Sequence, residues 1–237
     1  MIVGAQAQGV TVRDGVRLAW ARYGDRGPHV VLMPTWSIVP SEFWKAQVPY
    51  LARHFRVTTF DGRGSGASDR PHGSAAYSDD EYAADTLAVM DAAGIGSAVL
   101  VSLSCGTSWS IRVAVAQPHR VDGLFSIAPS CGLDVTDPAR EEFSWHNPLD
   151  TDRGWAKYNR HYWTADPAQY DDFLRFFFGR MFHEPHSTKQ IEDCIGWGRE
   201  ISPQTLVDTT AGRLGCDGGV CTPLEPLCRQ LTCPVLV

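Results

Sequence analysis

The chain has 237 residues, of which 43% are hydrophobic and 20% charged, and its net charge is −6. That length suits one domain, or one core carrying an insertion, and the negative balance argues against a general attraction to nucleic acid or to an anionic membrane. No apolar run approaches the roughly 20 residues of a membrane span, and the start, MIVGAQAQGV, lacks the basic end and long apolar stretch of a signal peptide, so a cytoplasmic location is expected.

TVRDGVRLAWARYG reads as a hairpin turning at Asp14-Gly15. His29 to Pro34, HVVLMP, reads as a short buried strand. Ser41 is placed to cap a helix running to about Leu51. RVTTFD is the next strand and leads into the glycine-rich loop from Asp61 to Gly66. Ser78 and Glu81 form a capping-box pattern, and the helix they open ends near Gly94. SAVLV is a buried strand, Ser104 to Gln117 a helix stopped by Pro118, and Gly123 to Pro129 another strand. Alternating strands and helices with apolar strand runs predict an α/β fold with a mostly parallel, doubly wound sheet.

The pattern changes at about Gly132. From there to Gly215 the chain is helical and aromatic, rich in Trp, Tyr and Phe, with no evident strand. A helical insertion is expected over 132–215, between a core at 1–131 and a return to the core at 216–237, where LEPLCRQLTCPVLV resumes the helix-then-strand rhythm. Cys216, Cys221, Cys228 and Cys233 could hold zinc as four thiolates. However, their gaps are wider than the usual C-x2-4-C pairs, and free thiols are the expectation. His183-Glu184-Pro185-His186 is not an H-E-x-x-H helix, because its proline opposes an i, i+4 pair. No metal and no cofactor are expected.

In Val99 to Trp109, VLVSLSCGTSW, a buried strand meets a tight turn centred on Ser104 and then a helix. This is the layout of a nucleophile elbow, which needs small neighbours two residues either side of the nucleophile, here Ser102 and Gly106. The helix N-terminus lies under the serine, and the amide of Cys105 would face an oxyanion. The alternative is a small-residue helix start in which Ser102 or Ser104 serves only as a cap.

Four stretches, taken together, resemble the α/β-hydrolase fold family: VVLMPTW, FDGRGSGASDRP, the Val99 to Pro129 region and CPVLV. The resemblance implies a capped serine hydrolase with Ser104 as nucleophile. The amides of Cys105 and Trp36, with Thr35 as the alternative to Trp36, would form the oxyanion hole. The substrate would be a small apolar ester, amide or related carbonyl compound. The chain departs from the family pattern at Ser102, usually glycine, at Leu103, often histidine, and at Pro34-Thr35, usually His-Gly. Asp61 and Arg63 are read as braces of the turn. The family's catalytic acid would follow CPVLV and its histidine one strand later, so neither is expected within this chain, which reads as a fragment. Asp134 is a weaker substitute acid. His119, His146, His161, His183 and His186 have no family position as the base. The other reading is a non-catalytic ligand-sensing or interaction module of the same fold, of the kind found fused to effector domains.

Overall fold

The computed structural model describes residues 4–130, 132–133, 138–182, 184–186, 188–219 and 221–237. Its strands are β1 (Ala7–Arg13), β2 (Val16–Tyr23), β3 (His29–Leu32), β4 (Arg56–Phe60), β5 (Ala98–Leu103), β6 (Val121–Ile127) and β7 (Val235–Leu236). They form one sheet in the order β1-β2-β4-β3-β5-β6-β7. β1 and β2 are a hairpin turning at Asp14 and Gly15, both at positive φ, as the Asp-Gly signal requires. β2 pairs antiparallel with β4, and every later pairing is parallel.

The helices are α1 (Val48–Leu51), α2 (Asp79–Ala92), α3 (Gly106–Ala116), α4 (Pro138–Glu141), α5 (Arg160–Ala165), α6 (Pro167–Met181), α7 (Thr188–Arg199), α8 (Pro203–Leu214) and α9 (Glu225–Cys228). Alternation along the strands supplies two faces. Val31, Met33 and Leu100 join the larger core with α2 and α3, while Val30, Leu32 and Val57 pack with Trp44 and Val48 on the other side. The described residues between β6 and β7 contain helices α4–α9 and no strand. Among the described residues no helix is long and apolar enough to cross a membrane.

Two local expectations need correction. The segment from Ser41 to Leu51 is not one helix capped by Ser41. It is a 3-10 turn over Ser41–Ala46 followed by the short α1. Ser41 contributes its amide, which donates to Asp61 Oδ1 at 2.8 Å. Pro49 falls in the first turn of α1, where a missing N–H costs nothing. The capping box is half made: Glu81 N donates to Ser78 Oγ at 3.3 Å, while the Glu81 carboxylate turns away to Arg13 and Arg63. Two guanidinium groups outcompete one backbone amide for that carboxylate.

The strand order fixes where a site can form. From β3 the chain moves to β4 on one side, then returns past β3 to place β5 on the other. The loops at the carboxyl ends of β3 and β5 therefore face each other across a topological switch point, where open α/β sheets bind ligands.

Candidate functional site

Ser104 lies at the carboxyl end of β5, between that strand and α3, and has φ +54°. A non-glycine residue at such a φ is strained by about 1–2 kcal/mol. Neighbouring bonds hold it there: Ser104 N donates to Ile127 O at 3.0 Å, and the Ser104 carbonyl accepts from Ser130 N and Thr107 N, both at 3.2 Å. Ser104 is half-buried, in contrast to Ser102 and Cys105, which are fully enclosed.

Close approach explains the small neighbours. A Cβ on Gly106 would sit 2.5 Å from the Pro34 carbonyl oxygen, so the loop after β3 presses directly on the start of α3. Ser102 fills the position usually held by glycine without an orphaned hydroxyl, since its Oγ lies 3.2 Å from Thr107 Oγ1 and 3.4 Å from Ser126 Oγ. The Pro34-Thr35 departure is also accommodated. Thr35 Oγ1 donates to Leu103 O at 3.1 Å and lies 3.7 Å from Cys105 Sγ, tying the β3 loop to the elbow through a side chain. Nothing in the sequence marked Thr35 for that role. The Cys105 thiol is pushed up chiefly by its burial, so it stays protonated near neutral pH and is no thiolate nucleophile.

Trp36 follows directly and is buried. Its ring packs on Phe177 at 5.1 Å, Tyr158 at 5.8 Å, Trp163 at 6.1 Å and Phe173 at 6.2 Å, all from the helical segment between β6 and β7. Trp36 thus joins the β3 loop to an aromatic cluster above the sheet. Within Phe173 to Phe182, Phe173 and Phe178 are core, while Phe177 is partly exposed. A cavity of about 190 Å³ bordered by Leu149, Asn159 and Tyr162 lies within that segment, and none of Ser104, Cys105 or Trp36 lines it.

Asp61 and Arg63 brace the glycine-rich loop. Asp61 accepts from the amides of Ser41 and Ala67, at 2.8 and 2.9 Å. Arg63 is buried and grips Asp85 through Nε at 2.7 Å and Nη2 at 2.8 Å, and donates to Ala76 O at 2.6 Å. Asp85, with no exposed side-chain surface, also accepts from Arg13 at 2.7 Å. Below the elbow, Tyr82 stacks on Trp109 at 3.9 Å, and Asp79 accepts from Ser108 and from Trp109 Nε1.

Asp134 and His183 lie outside the described residues. Among the described residues no histidine hydrogen-bonds to Ser104. His146 instead meets Cys216 Sγ at 3.4 Å, and its carbonyl lies 2.7 Å from His161 Nε2. No group of three or more His, Cys, Asp or Glu among the described residues is placed to hold a metal. Arg213, which no sequence motif marks, lies near both the Cys105 thiol and the Tyr158 phenol. No motif surrounds it in the sequence, and only the packing of α8 places it near the elbow.

Comparison with known proteins gives the fold family. Residues 28–182 match a family model described as alpha/beta hydrolase fold. The non-heme chloroperoxidase of Streptomyces lividans is 34% identical over 114 residues, 47% of this chain and 41% of that protein. The 2-hydroxy-6-oxo-2,4-heptadienoate hydrolase of Pseudomonas putida is 34% identical over 95 residues, 40% of this chain and 34% of that protein. An esterase from Rhodococcus superposes with a TM-score of 0.74 at 20% identity, covering 100% of this chain and 80% of that one. The chain spans less than half the length of these curated relatives.

Proposed function

Because the chain belongs to the α/β-hydrolase fold family, we propose that it carries the nucleophile and oxyanion donors of a serine hydrolase acting on small apolar esters, amides or related carbonyl compounds. The observation that carries this reading is Ser104, held at φ +54° between β5 and α3. A serine needs no strained backbone to cap a helix, whereas a nucleophile elbow needs one to lift the hydroxyl clear of strand and helix.

In the proposed reaction Ser104 Oγ attacks the substrate carbonyl and gives up its proton to a base, which the family resemblance places after β7 in chain order. The amides of Cys105 and Trp36 hold the oxyanion, and the start of α3 adds its dipole. Collapse of the tetrahedral species breaks the bond to the leaving alcohol or amine, which takes the proton, and water then hydrolyses the acyl-serine. The helices α4–α8 act as a cap, and their aromatic face around Trp36 favours an apolar acyl or alcohol group. Fold membership alone does not set the chemistry, so the test is at the site. Turnover of p-nitrophenyl esters of graded chain length is expected to fall at least ~10³-fold in Ser104→Ala. Undiminished turnover in that variant would refute the assignment, and ligand binding with no turnover by a protein that continues through the base after β7 would favour a sensing module.

A further inference from the structure

We infer that Arg213 is a carboxylate-binding residue of the Ser104 site, so that the preferred substrate carries an acid group apart from its scissile carbonyl. This rests on the Ser104 reading and narrows its substrate class.

The placement comes from α8. Thr209 is buried, its Oγ1 lies 2.9 Å from Ser37 Oγ, and its methyl group comes within 3.1 Å of where a Cβ on Gly64 would stand. That face of α8 therefore packs on the loop that carries Trp36. Arg213 follows Thr209 by four residues, one turn on and on the same face. It is half-buried and lies near the Cys105 thiol and the Tyr158 phenol, with Asp79 a weaker neighbour. Tyr158 packs on Trp36 at 5.8 Å and Cys105 directly follows Ser104, so the groups nearest Arg213 adjoin both proposed oxyanion donors.

Charge is unbalanced there. Burial pushes both the Cys105 thiol and the Tyr158 phenol up, so both are neutral at pH 7 and leave Arg213 uncompensated. Asp79 is already engaged by Ser108, by Trp109 and by Arg112, whose Nε lies 3.6 Å away. Among the described residues Arg213 itself makes no hydrogen bond and no ion pair. The buried arginines Arg63 and Arg112, by contrast, each hold a carboxylate. Arg140 adds a second positive group, stacked over Tyr158 at 5.0 Å and Trp155 at 4.7 Å. Trp36 Nε1 is a buried donor without a partner among the described residues. A partly desolvated guanidinium beside an apolar wall matches a planar carboxylate on an apolar stem, which it can hold through two parallel bonds.

Two measurements on the protein, continued through the base that follows β7, test this. The first is calorimetric binding of 4-phenylbutyrate against 4-phenylbutanamide to the unaltered chain, R213Q and R213K, with melting curves to confirm folding. The second is kcat/KM for mono-p-nitrophenyl succinate against p-nitrophenyl butyrate. The acid is expected to be favoured about 10–100-fold in both assays, with the ratio collapsing towards one in R213Q and partly recovering in R213K. Equal treatment of acid and neutral partner, absence of acid binding, or a ratio that R213Q leaves intact overturns the inference. Arginine-dependent acid binding without any ester turnover keeps Arg213 and refutes the Ser104 reading. Ser104-dependent turnover with no acid preference does the reverse.

Discussion

Gly106 should tolerate no side chain, although its backbone φ is ordinary. An alanine Cβ would stand 2.5 Å from the Pro34 carbonyl oxygen, about 0.9 Å inside the 3.4 Å at which ordinary contact begins. The carbonyl cannot retreat alone. The loop around it is held by Met33 N to Val101 O at 2.8 Å and by Thr35 Oγ1 to Leu103 O at 3.1 Å. Relief must therefore come from shifting α3 against the β3 loop, an overpacking cost of about 1–3 kcal/mol. Alanine's better helix propensity offsets at most about 1 kcal/mol of that. At this chain length each kcal/mol moves the melting temperature by about 2–4 °C. Such a shift would separate Ser104 from the proposed Trp36 donor, and displacement of a reacting group by about 1 Å costs on the order of 10²-fold in rate. Thermal melts and ester turnover of Gly106→Ala, beside Gly96→Ala as a control with nothing within 4 Å, measure both effects. A Gly106→Ala variant as stable and active as the control would refute the reasoning.

Asp85→Asn takes the fully buried carboxylate from between Arg13 and Arg63 and leaves both guanidinium groups to the partly exposed Glu81, with Asp14 also on Arg13, so it should cost about 2–3 kcal/mol in urea unfolding, short of a wholly unpaired buried charge; a loss below about 1 kcal/mol would mean the network is not holding the loop. Ser104→Gly relieves the positive φ and should raise stability by about 0.5–1 kcal/mol while abolishing turnover, and a lower melting temperature would count against strain at the elbow. Iodoacetamide at pH 8, followed by peptide mapping, should label exposed Cys221 and spare Cys105 until the chain unfolds; rapid native labelling of Cys105 would contradict its burial. Arg199 and, more weakly, Arg175 hold the Asp171 carboxyl below the usual range, against an opposing effect of burial. With the folded value below the unfolded one, the stabilisation is present above about pH 4 and lost as pH falls through the folded value. Because Asp171 keeps 31% of its side-chain surface exposed, Asp171→Asn should cost no more than about 1 kcal/mol at pH 7 and nothing near pH 2, and an equal cost at both would show that the effect is not ionic.

What the sequence disclosed was local and periodic. Asp14-Gly15 demanded a hairpin turn and formed one, because few residue pairs accept two positive φ values in succession. The apolar runs around Val31 and Leu100 marked strands buried on both faces, and the small residues around Ser104 marked a tight turn. The misses share a different origin. Ser41 looked like a side-chain cap, but its amide was claimed by a carboxylate 20 residues away. Glu81 looked like half of a capping box, yet two arginines distant in sequence drew its carboxylate off. Thr35 and Arg213 gained their places only when α8, the β3 loop and the elbow were brought together. Pairings made across the fold leave no periodic or spacing signal in any single stretch of chain.

The most direct test is covalent. The protein, continued through the base that follows β7, would be treated with an aryl fluorophosphonate, weighed intact and its adduct mapped by peptide sequencing, alongside Ser104→Ala. One adduct of the expected mass on Ser104, absent from the variant, is the predicted result. No adduct, or one on another residue that persists in Ser104→Ala, would contradict the assignment of Ser104 as an activated nucleophile.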